Sequence, residues 1–298
     1  MRSGDGGPVR QLAISSLLAA VSATLYGLTF PPTGWTALSW VAVVPLLVAL
    51  RRGSLVQALF ISWLWCVVGA CVAGDWFPRS VADYFQQPMG VAVALFIGVF
   101  TIMAGPYFMV FAAVYRALAR RYQIALPLLT GAAWVGAELA RGRLLTGSPI
   151  FIGNPWGLTG YAQSEVLPLV QIASVTGIYG VSFVVVCVNA ALAELWFGWR
   201  DSARSGRHLA AAVGLAVLPA LGSLVYGYSA LGNSAEAVDD ETSVAVTVAQ
   251  GNLSVGRRWR SDMYGRNLDV YLRLSHEAAS QDKPRILFWP ESAMSFFL

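Results

Sequence analysis

The sequence predicts a multi-span α-helical membrane bundle followed by the beginning of an α/β domain. Three observations carry this. First, 56% of the 298 residues are hydrophobic and 12% charged, where soluble domains hold about a quarter charged residues. The mean hydropathy is correspondingly high, +0.59. Second, seven strongly apolar segments fill residues 1–230. Third, the chain after residue 241 changes period, from a two-residue alternation to a helical repeat and back to a short apolar run.

A spanning helix needs about 20 predominantly apolar residues. The segments are 11–30, 35–50, 55–74, 89–115, 124–140, 166–198 and 208–230. The second is short, and Trp35 and Trp40 suit it to interfacial anchoring. The sixth is too long for one span. Pro168 and Gly177 allow its opening, Val166 to Thr176, to lie along the interface or enter it at an angle. The first follows Arg10 as a signal peptide would. It is long for one, however, and leads into Phe30-Pro31-Pro32 and Trp35 rather than a cleavage site.

Arginines set the orientation. With the N-terminus in the cytoplasm, Arg2, Arg10, Arg51, Arg52, Arg116, Arg120, Arg121, Arg200, Arg204 and Arg207 lie on the cytoplasmic side. Arg79, Arg141 and Arg143 lie opposite, so the bias is ten to three in short loops, where the positive-inside rule applies. Seven crossings then place everything after residue 230 on the non-cytoplasmic side. The net charge of +4 is spread over these loops, which argues against a nucleic-acid-binding face.

Polar residues inside the apolar runs are few. Intramembrane acids are costly and usually paired or functional. Glu138 has Arg141 at i+3, so a structural ion pair is favoured over a proton relay. Glu194, near the cytoplasmic end of its helix, is expected to snorkel, and Gln171 and Asn189 to bond between helices. Cys66, Cys71 and Cys187 all fall in apolar runs and read as small core residues rather than disulfide partners or metal ligands. His208 and His276 have no companion at metal-ligand spacing, and there is no phosphate-binding glycine loop. Neither a metal nor a cofactor is expected.

Residues 231–241 read as a polar, acidic linker and 242–298 as the opening of the α/β part. Thr242 to Ala249 alternates, with Val244, Val246 and Val248 on one face, until Gln250-Gly251-Asn252 breaks it. A helix follows, capped near Ser261 or Asp262, with Leu268, Tyr271, Leu272 and Ser275 sharing a face, and Lys283-Pro284 stops it. Arg285 to Trp289 is then a second, buried strand. Strand, crossover helix and strand imply a parallel pair. Glu291 falls just past the carboxyl end of the second strand, where open α/β sheets place their chemistry. About 60 residues of α/β structure cannot close a sheet and cover both its faces, so this reads as an incomplete domain.

The tail Val248-Ala249-Gln250-Gly251-Asn252, then Trp259, then Phe288-Trp289-Pro290-Glu291-Ser292-Ala293 resembles the start of the nitrilase-like domain of apolipoprotein N-acyltransferases. The membrane part is similar to the same family through Phe30-Pro31-Pro32 with Trp40 and Pro45-Leu46-Leu47, and through Trp134, Glu138 and Arg141-Gly142. Asn154-Pro155-Trp156 with Gly160-Tyr161-Ala162-Gln163, and the run Gly177 to Phe183, continue it. The resemblance implies eight spans, with an α-β-β-α nitrilase-like domain between the seventh and eighth. It implies transfer of an acyl chain from a phospholipid donor to the N-terminal amine of the lipid-modified cysteine of a lipoprotein, in the bacterial cytoplasmic (inner) membrane, with no cofactor and no nucleic acid.

The family's catalytic set is Glu, Lys and Cys. By resemblance Glu291 is the general base that takes the thiol proton, since the thiolate is the nucleophile; on the residues alone it also reads as a loop carboxylate capping a turn. Trp259 matches a functional aromatic of the family, and reads equally as an interfacial anchor among Arg257, Arg258 and Arg260. Lys283 is the single lysine and precedes Glu291, and no cysteine follows it. The chain is therefore expected to be the N-terminal part of such an enzyme and inactive alone. Two rivals are a membrane-tethered nitrilase-type amidase and a non-enzymatic scaffold or transporter.

Overall fold

A computed structural model describes residues 7–144, 155–200, 206–234, 244–253, 264–281, 286–291 and 293. The chain divides into two units, Met1–Asp75 with Ile97–Ser234, and Trp76–Phe96 with Ala235–Leu298.

The first unit is helical. Its elements are α1 (Pro8–Gly27), a 3-10 turn (Thr36–Trp40), α2 (Val44–Leu50), α3 (Leu55–Ala73), the end of α5 (Met89–Met103), α6 (Gly105–Arg121) and α7 (Leu126–Arg143). After α7 come a second 3-10 turn (Thr159–Gln163), α8 (Leu167–Val170), α9 (Ala173–Thr176), α10 (Ile178–Arg200) and α11 (Gly206–Ser234). α4 (Trp76–Phe85) and the start of α5 belong to the second unit.

Among the described residues, four helices are long and apolar enough to cross a membrane: α1, α3, α10 and α11. The segment expected as one span over 89–115 is a pair, α5 and α6, bent by 46°. Pro106 sits at the start of α6. It lacks an N–H and crowds the preceding turn, so the helix cannot run straight through. The expected 35–50 segment is a 3-10 turn followed by a seven-residue helix, and α7 carries three charges, Glu138, Arg141 and Arg143. The long sixth segment breaks where Gly177, at φ +64°, separates α9 from α10.

Small residues bring these helices close. A Cβ at Gly131 of α7 would lie 2.6 Å from Cys187 Sγ and 3.1 Å from the Phe183 carbonyl of α10. At the centre stands Trp134, fully buried. The rings of Trp65, Phe108 and Phe111 lie 5.0–5.2 Å from it and that of Tyr26 6.3 Å. Such edge-to-face pairs add to plain burial.

Asn189 bonds between elements as expected. Its Oδ1 accepts from the Val43 amide at 2.9 Å, and its Nδ2 donates to the Ser39 carbonyl at 2.8 Å. The Gln171 side chain instead bonds within its own segment, donating to the Leu167 carbonyl. Gln171 caps the C-terminal end of the four-residue α8, so the carbonyl four residues back lies within its reach. Glu194 does not snorkel. It is buried and paired with Arg51, which also donates to Tyr115 Oη at 3.0 Å and lies over the Phe197 ring. Arg116 donates to the carbonyls of Leu50, Arg52 and Gly53, closing the end of α2.

In the second unit the Phe77 ring of α4 packs 5.2 Å from that of Phe96, and Pro78 and Val81 are buried. The tail forms β1 (Val246–Val248), α12 (Tyr264–Gln281) and β2 (Ile286–Phe288). The strands pair in parallel, Val246 opposite Ile286 and Val248 opposite Phe288. α12 packs Tyr271 and Leu274 against Ala249, Leu287, Trp289 and Ala293. Asn267 and Tyr271 are the buried residues of the helix, Leu274 is half-buried beside them, and Leu272 is 41% exposed. Of the expected face, Tyr271 is buried, Leu268 and Ser275 are half-buried with Ser275 Oγ accepting from Trp289 Nε1 at 2.9 Å, and Leu272 alone turns to water. The valine face of β1 is exposed, and the covered face is the one that presents Ala249.

Candidate functional site

Glu291 lies in a turn three residues beyond β2 and is exposed. Pro290 ends the strand, and the Ala293 amide returns to the Pro290 carbonyl at 3.0 Å. The Ala249 amide bonds the Phe288 carbonyl at 2.9 Å, so the carboxyl ends of both strands lie side by side. There Gly251 faces Tyr271, and a Cβ on it would come within 2.9 Å of the ring. Asn252 follows at φ +48°. This local geometry offers one solvent-accessible carboxylate at the carboxyl edge of a parallel pair, able to accept a proton. Trp259, the three arginines around it, Ser261, Asp262, Lys283 and Asn154 lie outside the described residues. Cys66 and Cys187 are buried in α3 and α10, and Cys71 is exposed on α3. Among the described residues no three His, Cys, Asp or Glu side chains gather where they could hold a metal ion.

The first unit holds a second constellation that is wholly enclosed. α7 places Trp134, Glu138 and Arg141 at successive turns of one face. Glu138 is fully buried, and its Oε1 accepts three hydrogen bonds: from Trp134 Nε1 at 3.0 Å, the Thr159 amide at 2.7 Å and Thr159 Oγ1 at 2.7 Å. Arg141 Nη2 donates to the Trp156 carbonyl at 2.7 Å and more weakly to that of Gly157 at 3.5 Å. Tyr26 Oη of α1 donates to the same Gly157 carbonyl at 2.7 Å. Ser182 Oγ of α10 accepts from the Gly160 amide, and Gln163 Nε2 donates to Ser39 Oγ at 2.5 Å. Glu138 Oε2, Arg141 Nε and Gln163 Oε1 are buried and have no hydrogen-bond partner among the described residues.

The ion pair expected between Glu138 and Arg141 is therefore not what forms. Both side chains leave α7 towards the turn at 155–158 and the 3-10 element that follows it, the acid taking its donors and the guanidinium its carbonyls. Backbone that leaves a helix in an apolar bundle must find such partners. Sequence reasoning singled out Glu138 and Arg141 but missed Thr159, Tyr26 and Ser182. The available signal was the run from Pro155 to Gln163, too polar and glycine-rich to continue as an α-helix.

Fold and site define a multi-pass helical membrane protein with an enclosed polar cluster that holds a broken, non-helical segment. The chain belongs to the apolipoprotein N-acyltransferase family, whose N-terminal domain model matches residues 22–191, a stretch that includes every residue of that cluster. It is similar to the apolipoprotein N-acyltransferase of Geobacter metallireducens, with 31% identity over 288 residues, 94% of this chain and 51% of the relative. Those of Haemophilus influenzae (24% identity, 93% of this chain, 50% of the relative) and Gloeobacter violaceus (30%, 96% and 52%) are further relatives. The chain spans about half the length of these relatives.

Proposed function

We propose that this protein serves the transfer of an acyl chain from a membrane phospholipid to the N-terminal amine of a lipid-modified lipoprotein cysteine, with Glu291 as the general base. The observation that carries this is the position of Glu291, on the turn after the second strand of a parallel β-α-β unit, in a chain of this family. The unit is the opening of a nitrilase-like domain, residues 242–298, behind a seven-span bundle over 1–230. In this reading the carboxylate takes the thiol proton of a cysteine. The thiolate attacks the ester carbonyl, the lysophospholipid leaves as an alcohol with the proton the carboxyl group gives back, and a thioester forms. The lipoprotein amine then attacks the thioester and returns the thiolate. By the family resemblance, Trp259 is assigned to recognition of the acyl chain or headgroup.

The nucleophile is not one of the three cysteines of residues 1–298, since Cys66 and Cys187 are enclosed among apolar side chains and Cys71 belongs to the bundle helix α3. The 298 residues alone are therefore expected to give no turnover. The arginine bias supports a cytoplasmic N-terminus and a β-α-β unit on the outer face of the inner membrane.

The test joins residues 1–298 to the remaining length of the Geobacter metallireducens relative and follows acyl-enzyme formation from phospholipid by mass spectrometry. The unchanged chimera is expected to form a thioester. A general base is worth about 10²–10⁴-fold, and Glu291→Gln should lose acylation on that scale. Acylation that survives Glu291→Gln within a few-fold overturns the assignment.

A further inference from the structure

A membrane helix satisfies its own backbone, and the turn Pro155–Thr159 cannot. It is non-helical, and Gly157 sits at φ +60°, which a residue with a Cβ adopts poorly. Its polar groups are met from outside. The Trp156 and Gly157 carbonyls take Arg141 and Tyr26, and the Thr159 amide and hydroxyl take Glu138. Two charged side chains, 0% and 7% exposed, serve this one turn rather than each other. That is a poor way to gain stability, because buried charges are costly to desolvate and an apolar pair on a continuous helix would do better. In membrane proteins, non-helical backbone is tolerated where protein buries it or where it lines a cavity, and broken helices recur at binding sites. Here it turns Trp156, 57% exposed, outward from a carbonyl that Arg141 holds at 2.7 Å.

We propose that Glu138 and Arg141 are positioning residues that clamp the Pro155–Thr159 turn and thereby hold Trp156 as a fixed aromatic edge facing lipid. The use of that edge on a lipid-borne substrate rests on the acyltransferase reading above; the clamp itself does not. Glu138 fixes the turn through its amide side, and Arg141 through its carbonyl side. Neither alone fixes both ends. Thr159 joins the two halves, because its hydroxyl also lies 2.9 Å from Trp134 Nε1 and 3.3 Å from Tyr26 Oη.

The experiment uses the whole 298-residue chain in phospholipid nanodiscs, with Cys66, Cys71 and Cys187 changed to alanine and a nitroxide on Trp156→Cys. A second label on Val110→Cys, an exposed position on α6, serves as control. Label mobility and the contrast between oxygen and a water-soluble nickel complex are read by electron paramagnetic resonance. In the parent the 156 label should be slow and oxygen-accessible. Glu138→Ala and Arg141→Ala should each shift it to fast nanosecond motion and reduce the contrast, leaving the 110 label unchanged. Glu138→Gln should restore the parent spectrum, because an amide oxygen still accepts the three donors. If Glu138→Ala does not fold, Thr159→Val, which deletes one donor and keeps the amide, should give a smaller shift in the same direction.

An immobile 156 label in Arg141→Ala and Thr159→Val overturns the clamp. So does parallel movement of both labels, which would make the cluster a general support of the bundle. A clamp that behaves as predicted beside a chimera that forms no thioester leaves the positioning intact and removes the lipid-substrate role.

Discussion

The two units bury their aromatic centres in opposite ways. Around Trp134, four rings from α1, α3 and α6 close on a single indole whose N–H is bonded to Glu138 and Thr159, and no part of it reaches the surface. Around Tyr271 the centre is just as buried, at 1% exposure, but it is one layer deep. One helix covers one face of two three-residue strands. The other face leaves Val246, Val248, Ile286 and Phe288 between 44% and 71% exposed. Parallel sheets are normally covered on both faces. The bundle therefore holds its own centre through many elements, while among the described residues one helix covers the β-α-β unit.

The comparison breaks most visibly at its two centres. Trp134→Ala removes the indole and leaves a cavity ringed by aromatics, and such changes cost about 3–5 kcal/mol. It should lower the unfolding midpoint of the bundle in detergent and leave hydrogen exchange in β1 and β2 unaltered. Tyr271→Ala should do the reverse. Its loss is bounded by the stability of a unit with one covered face, so the amides of Val246–Val248 and Ile286–Phe288 should exchange as if the unit were open, with no change at Trp134. If Tyr271→Ala also lowers the bundle midpoint, the two centres are not independent.

What the sequence made legible follows from the range of the interactions. The Gly177 break, the parallel pair and the interhelical bonding of Asn189 were readable because a local pattern encodes each: a glycine after a proline-started turn, a switch of period, an amide inside an apolar run. The bend at Gly105-Pro106 was equally local, but the apolar run through it reads as continuous at the length of one span. Helix α4 was missed because ten residues between two apolar runs look like a loop until Phe77 finds Phe96. Burial of Glu194 depends on Arg51, 143 residues away, and the turn of Glu138 towards Thr159 spans 21. No local rule supplies those partners. Of the predicted site, Glu291 falls where the strand pattern put it, and Trp259 lies outside the described residues.

The smallest expected effect sharpens the comparison furthest. Val248 is 71% exposed on the open face of β1, so Val248→Thr keeps the β-branched shape and adds one hydroxyl where water already reaches. Surface substitutions of this kind stay within about 0.5 kcal/mol. In the 298-residue chain, exchange at the β1 and β2 amides should be unchanged. In the chimera, where the rest of an α/β domain is supplied, the same substitution would bury that hydroxyl if a further layer packs on the valine face. An unpaired buried hydroxyl costs about 1–3 kcal/mol. A Val248→Thr effect that appears only in the chimera would show that the open face is the seat of that layer. Equal, negligible effects in both would mean that α12 alone covers the sheet, and that the valine alternation of 244–248 serves the strand rather than a core.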